Sequence, residues 1–390
     1  MHRPALGALA LLTIAGCTGC DGAPATLDAG RRTDAGPRPD AGPDDPSRFV
    51  DPSAYEYDWT CTGEVPASAE APSADPPTED CSDGVWPNLS IDAVCPTITD
   101  GMLTDPDTGA PLPPADSRTL PTEIPISESG SFLPTPGPSS WPSTLRIVVW
   151  NTEYTANLDA QLETLTTHPE LRDADVYLLS EVDRCSARNG TRRAARMLAQ
   201  AVGGEYVYGI EFVELSIGRT VGGDTGQAIV SRRPLTGARL LCHSAQFDWF
   251  TSSDEPRLGS RVALHGDVPI GDTFAHLFAI HLESNDGFGE LRAVQTKEIL
   301  DAAQASACDR PTLVAGDFNA WYPTAPEVSL LRNEGFVDAL DSLGDTDATH
   351  ESGRRLDYAW ARGMTVVAGA VLRDVSTSDH YPMWIDVTVP

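Results

Sequence analysis

The chain has 390 residues, 41% of them hydrophobic, with 57 acidic and 27 basic side chains and a net charge of −30. This composition excludes a collagen-like or wholly disordered chain. It also speaks against wrapping duplex nucleic acid by bulk charge, which takes a basic footprint, though not against a local phosphate site. The average conceals two unlike parts. Residues 1–144 hold 23 of the 32 prolines, with 22 acidic and 6 basic groups; residues 145–390 hold nearly all the periodic apolar segments. Only the second part has the length and pattern to bury a sizeable core, as one domain.

In chain order, residues 1–16 read as an export signal. A short basic start is followed by an apolar run from Ala5 to Ile14, too short for a permanent span. The segment Ile14-Ala15-Gly16-Cys17 resembles a bacterial lipobox, which implies cleavage before Cys17 and acylation of its thiol. That places the protein at the bacterial cell envelope, on the outer membrane or cell surface, attached through its N-terminal lipid only. Residues 17–50 repeat Asp-Ala-Gly at 28–30, 34–36 and 40–42 and read as a solvated stalk, too poor in apolar groups to offset its ordering entropy. Residues 51–144 are Pro-rich and read as a strap without strands. Setting aside Cys17 and Cys20, six cysteines remain: Cys61, Cys81, Cys95, Cys185, Cys242 and Cys308. In an exported chain they are disulfide candidates rather than zinc ligands, and their pairing is open.

From 145 onward, apolar runs alternate with helical patterns. Strands are expected at 145–151, 175–181, 205–215, 226–231, 236–242, 260–267, 273–282, 312–315, 355–361, 364–372 and 382–389, and helices at 157–168, 191–202 and 290–306. Many strands joined as hairpins, with few covering helices, imply an α+β sandwich rather than a doubly wound parallel sheet.

The informative polar residues end apolar strands. Asn151 follows Arg-Ile-Val-Val-Trp, Glu181 follows Val-Tyr-Leu-Leu-Ser, His281 ends a third run, and Asp317 and Asn319 follow Leu-Val-Ala-Gly. Asp357 and the pair Asp379-His380 border two more strands. Oxygen ligands at the rim of a sheet are held rigidly into one crevice, which suits Mg²⁺ or Mn²⁺. Carboxylates and two histidines about such an ion match the needs of phosphoester hydrolysis: charge neutralisation, a positioned water, and imidazoles for developing charge. His265 and His276, on apolar strands, read as core residues.

Asn151, Glu181, His281, Gly-Asp-Phe-Asn at 316–319, Arg-Leu-Asp-Tyr at 355–358 and Ser-Asp-His at 378–380, in this order, resemble the endonuclease/exonuclease/phosphatase superfamily, the deoxyribonuclease I-like enzymes. The resemblance spans 145–390. It implies a four-layered α/β sandwich of two mainly antiparallel sheets flanked by helices. It implies that Glu181 is the principal metal ligand, supported by Asn151 and Asp379, with Mg²⁺ or Mn²⁺ as cofactor. Asp317 matches the residue that activates the attacking water, and Asn319 the amide on a phosphate oxygen. His380 matches the histidine on the scissile phosphate and Asp357 its partner, while His281 is a candidate acid for the leaving oxygen. Gly226 to Arg232 resembles a family strand in which Gln227 replaces the common Asn.

Subclass is less legible. Arg184, Arg188, Arg192, Arg193 and Arg196 follow Glu181, and Arg188 is the expected phosphate contact; the last three equally fit a solvated helix face. Glu211 and Glu214 read as solvated strand-edge groups, with an orienting role toward His281 as the alternative. Phe288, Trp321 and Tyr322 are candidates for stacking a base or touching a lipid. The leading expectation is a monomeric phosphodiesterase on extracellular nucleic acid. A sphingomyelinase-like phospholipid phosphodiesterase comes second, with Asp248-Trp249-Phe250 as its only apolar hairpin, ahead of an inositol-phosphate phosphatase or an inactive binding module.

Overall fold

A computed structural model describes residues 127–134, 137–214, 223–247, 249, 257–307 and 310–390. The segments expected as signal peptide and stalk, most of the expected strap, and Cys17, Cys61, Cys81, Cys95 and Cys308 lie outside them. No helix among the described residues is long and apolar enough to cross a membrane.

The strands are β1 (Ser127–Ser131), β2 (Thr144–Asn151), β3 (Val176–Arg184), β4 (Glu205–Glu214), β5 (Asp224–Ser231), β6 (Thr236–Cys242), β7 (Arg257–Gly259), β8 (Val262–Ile270), β9 (Thr273–His281), β10 (Thr312–Asp317), β11 (Val337–Asp338), β12 (Asp357–Arg362), β13 (Thr365–Val371) and β14 (Met383–Thr388). The helices are α1 (Leu158–Thr167), α2 (Ala194–Val202), α3 (Glu290–Ala307), α4 (Pro326–Asn333) and α5 (Ala339–Ser342). One sheet runs β1-β4-β5-β3-β2-β14-β13, with β7 beside β4; the other runs β11-β12-β10-β9-β8-β6. Pairing is antiparallel except for β2 with β3 and β9 with β10. This is the α+β sandwich implied by the sequence.

Layering follows from strand alternation, since successive side chains leave a strand on opposite faces. Leu145, Ile147 and Val149 of β2 pack with Leu178, Leu277, Leu313 and Ile385 between the sheets. The alternate residues Val148, Trp150 and Leu179 meet Leu158, Leu165 and Leu198 of α1 and α2. On the far side, Phe278, Ile280 and Val314 lie under Ile299, Leu300, Val328 and Leu331 of α3 and α4. Central strands buried on both faces must be apolar almost throughout, which is why they stood out in the sequence. Each such side chain contributes about 1.5–3 kcal/mol on burial.

Two expectations need correction. The strap was expected to hold no strands, yet β1 lies within it and pairs with β4 along Ser127 to Ser131. Polarity hid this edge strand: Glu128 takes Arg193, Arg184 and the Tyr206 hydroxyl, so its register is set by ion pairs rather than by an apolar face. Of the cysteines, Cys185 is disulfide-bonded, but Cys242 is a free thiol at the exposed end of β6.

Candidate active site

Three site residues share one rung of the six-stranded sheet. Asp317, at the end of β10, is in register with His281 on β9 and with Asp357 on β12. Partners on one rung point to the same side of a sheet, here toward the opposing sheet. Gly316 makes this possible: at φ +146° a Cβ there would stand 2.0 Å from the Ile280 carbonyl oxygen. Asn319, at φ +49°, then turns the chain back, and its backbone N–H donates to Asp317 Oδ1 at 2.8 Å.

The larger sheet adds Glu181 and Glu211 at two bulges. In the β3 to β5 pairing the register slips between Leu179 and Val182, and in β4 to β5 it slips between Ile210 and Phe212. Glu181 and Glu211 lie at these slips, on either side of Gln227. A bulge re-aims a side chain that regular alternation would send elsewhere. Glu181 also adopts φ +52°, a conformation rare outside glycine that persists where its surroundings over-determine it. Gly226 allows the close approach of β4, since a Cβ there would lie 2.0 Å from the Gly209 carbonyl oxygen.

Asp317 Oδ2 is the focus. Asn151 Nδ2 donates to it at 3.1 Å, and the Nε2 atoms of His281 and His380 each stand 3.7 Å away. Burial, and next the Asp357 carboxylate, push the Asp317 carboxyl above its ordinary value. His380 Nδ1 is bonded to Asp357 Oδ2 at 2.8 Å. Burial alone would lower the His380 imidazole, but Asp357, then Asp317 and Asp379, leave it pushed up to about 10. The loop before β14 is fixed because the Trp150 indole N–H donates to the His380 carbonyl at 2.9 Å and Ser378 Oγ donates to the Asn151 carbonyl at 2.8 Å.

His281 is wholly buried, whereas Glu181 retains 5% exposure and His380 4%. Its Nε2 lies 3.9 Å from Glu181 Oε1, and its Nδ1 lies 3.5 Å from Glu211 Oε2. Arg261 Nη1 stands 2.8 Å from that Nδ1. Burial would raise the Glu211 carboxyl, but His281 and Arg261 hold it below its ordinary value. Gln227 donates to Glu211 at 3.4 Å and to the Val262 carbonyl. The solvated-edge reading thus fails for both glutamates: Glu211 is buried against His281, and Glu214 pairs with Arg188 and Arg257.

Other sequence candidates are placed as follows. Asp379 Oδ2 lies 3.5 Å from His350 Nε2, and its backbone N–H donates to Glu153 Oε2 at 3.1 Å. The Asn319 side-chain amide donates to the Leu282 carbonyl at 3.1 Å. Arg188 holds Asp183 at 2.9 and 3.1 Å and Glu214 at 3.1 Å, and stacks 3.9 Å over Tyr154. Arg192 pairs with Asp159, Arg193 with Glu128, and Arg196 bonds Gln200, so these arginines already have internal partners. His265 and His276 are buried as expected, though with Asp267 beside them.

Sequence reasoning missed His350 and Arg261. His350 is buried, its ring 4.6 Å from that of His380 in a T-shaped contact. It ends no apolar strand; the only signal is a histidine seven residues before Asp357. Arg261 immediately precedes β8, where a basic residue next to an apolar run reads as a solvated strand end.

The donor set fits a divalent cation bound through oxygen. Glu181, Glu211, Asp317 and Asp357 are buried carboxylates gathered about two histidines, and Asp317, Asp357 and His380 offer ligand atoms within 4.8 Å of one another. Buried negative charge costs several kcal/mol per ion unless it is compensated, and a divalent cation compensates it. Glu181, with Asn151 and Asp379, would hold such an ion here, leaving Asp317 beside it.

The family profile described as Endonuclease/Exonuclease/phosphatase matches residues 148–380. No curated protein matches the chain. Among solved structures, the human Nocturnin catalytic domain with a bound sulfate anion aligns at a TM-score of 0.50 and 18% identity, covering 63% of this chain and 94% of that one. An endonuclease/exonuclease/phosphatase from Beutenbergia cavernae aligns at 0.47 and 22% identity, covering 63% and 72%. D. rerio TDP2 complexed with a single-strand DNA product aligns at 0.45 and 20% identity, covering 63% and 100%. With the profile spanning more than half the chain and ending on His380, the chain belongs to the endonuclease/exonuclease/phosphatase family of phosphoesterase and nuclease-type hydrolases.

Proposed function

We propose that this chain is an Mg²⁺- or Mn²⁺-dependent phosphodiesterase that cleaves extracellular nucleic acid, exported and tethered at the cell envelope by a lipid on Cys17. The observation that carries the reading is Asp317 Oδ2, faced by Asn151, His281 and His380 in one buried crevice. When bound, the metal ion supplies neutralisation of phosphate oxygens. Asp317, with its raised carboxyl, accepts a proton from the attacking water. His380, kept charged and oriented by Asp357, donates to the phosphate oxygens as their charge grows. His281 sits behind Glu181 and Asp317, so we assign it the positioning of those two carboxylates.

Two aromatic loop residues support a polymer with bases over a lipid. Phe288, in the loop between β9 and α3, is 44% exposed, and Trp321, two residues past Asn319, is half-buried with the Arg354 guanidinium 4.6 Å over its ring. An exposed aromatic ring offers a stacking surface to a base. By contrast, Trp249, which the sequence offered as the centre of a membrane-binding segment, is packed against Phe212 and Phe247 and donates its indole N–H to Glu283 at 3.2 Å.

The test is a panel of plasmid DNA, RNA, sphingomyelin and soluble inositol phosphates offered to the purified protein. Cleavage of DNA or RNA that stops with EDTA and returns with Mg²⁺ or Mn²⁺ is expected. Sphingomyelin hydrolysis without nucleic-acid cleavage would assign the enzyme to phospholipids instead, and activity indifferent to chelation would overturn the metal role.

A further inference from the structure

A second polar cluster sits on the outer face of the six-stranded sheet. His265 and Asp267 of β8 and His276 of β9 share the face that Phe278 presents toward α3, because alternate strand residues point the same way. His276 precedes His281 by five residues, so the cluster is roughly 17 Å from the Asp317 crevice and emerges on the opposite face of the strand. Both histidines are buried, while Asp267 is partly exposed and leaves one side open to solvent.

The contacts converge on one point. His265 Nε2 lies 3.1 Å from His276 Nδ1 and 3.4 Å from Asp267 Oδ1, and His276 Nδ1 contacts the same Oδ1. Hydrogen bonds alone satisfy this triangle poorly. With protons on both nitrogens, two N–H groups face each other. With a proton on only one, the lone pair of the other nitrogen faces the carboxylate. A cation at the centre is attracted to all three atoms. Burial holds the His276 ring below its ordinary value, which keeps it neutral and able to coordinate. Arg310 approaches the other carboxylate oxygen, Oδ2, at 3.6 Å, and so leaves Oδ1 to the rings.

We infer that His265, Asp267 and His276 form a second metal site, selective for a borderline ion such as Zn²⁺ over Mg²⁺ and independent of the phosphoester crevice. Two imidazoles and one carboxylate are a donor set for zinc, whereas Mg²⁺ takes oxygen. Ligands about 2.0–2.2 Å from a tetrahedral ion stand roughly 3.3 Å apart. The His265 separations of 3.1 and 3.4 Å match that spacing, and the closer contact between His276 and Asp267 would have to open as the ion enters. An ion there would clip β8 to β9 and keep a fourth position toward solvent on the Asp267 side.

The test is equilibrium dialysis of the full chain against Zn²⁺ in a large excess of Mg²⁺, followed by metal analysis. The wild type and Glu181→Gln should each retain one zinc per chain, and His265→Asn and Asp267→Asn should retain at least tenfold less. Zinc absent from the wild type, or lost in Glu181→Gln and kept in His265→Asn, would overturn the inference. Should the cluster variants not fold, thermal unfolding of the double variant Glu181→Gln/His380→Ala decides, because it removes a ligand from every donor group of the crevice and leaves the cluster intact. A midpoint that rises with Zn²⁺ supports the site, since a ligand bound only by the native state stabilises it; an unmoved midpoint rejects it.

Discussion

Asp317 is flanked by two histidines, and the flanks share a plan but not their surroundings. On one side Asp357 holds His380 at 2.8 Å, and the ring faces carboxylates at Asp317 and Asp379. On the other, Glu211 stands 3.5 Å from His281, but the Arg261 guanidinium lies closer still, at 2.8 Å. One pair favours a charged imidazole; the other shares its carboxylate with a permanent cation and is sealed inside. A histidine and an acid in contact therefore do not define a role. The third neighbour and the route to solvent do.

The largest effects should come from the two groups proposed to act on the reacting atoms. Asp317→Asn and His380→Ala are expected to lower kcat by about 100-fold to 10,000-fold, the range for a lost acid or base, with KM little changed. Steady-state kinetics on the substrate found by the panel checks this. A comparable loss in KM alone would mean that these residues bind rather than react, and the asymmetry between the flanks would be lost.

Asp357→Asn sharpens the comparison further. Asp357 is the foremost influence holding His380 up, so its removal lets the imidazole fall toward or below its ordinary value. Where the charged ring is the active form, activity is lost as pH rises through its pKa. The alkaline limb of kcat/KM should therefore move to lower pH in Asp357→Asn, alongside a fall in kcat. A limb that stays in place would assign it to a different group.

Glu211→Gln is the matching change on the other flank, with a smaller effect expected. Partners that orient the residues around a metal typically cost about 10–100-fold when altered. The alkaline limb should not move, because Glu211 faces His281 and not His380. A shift like that of Asp357→Asn would show the two pairs to be interchangeable.

Much of this was legible from the chain alone, and the reason is mechanical. Asn151, His281 and Asp317 each close an apolar strand, and strands buried on both faces admit few polar residues, so each one stood out. Glu181 was found in the same way, although its aim depends on a bulge that sequence does not display. Glu211 was misread for another reason. In Glu-Tyr-Val-Tyr-Gly-Ile-Glu-Phe-Val-Glu, alternation already sends Glu211 to the side of Val207, between the sheets, but the sequence does not show that His281 and Arg261 meet it there. β1 escaped because its energetics rest on Glu128 and its arginines. His350 escaped because only the return of β14 brings His380 to it, a contact between segments 30 residues apart.

The smallest predicted change in activity tests the support beneath the His380 flank. Trp150 belongs to the layer between β2 and the outer helices, yet its indole N–H crosses to the His380 carbonyl at 2.9 Å. Trp150→Phe keeps most of the buried aromatic volume and removes the donor, leaving a buried carbonyl unsatisfied at a cost of about 1–3 kcal/mol. Denaturant unfolding should register that loss as a lower midpoint with an unchanged slope. Because Asp357 still grips the ring at Nδ1, activity should fall only a few-fold and the alkaline limb should hold. A loss as large as that of Asp357→Asn would instead mean that the backbone at His380, and not its carboxylate partner, sets the ring in place. The two flanks would then differ in scaffold rather than in charge.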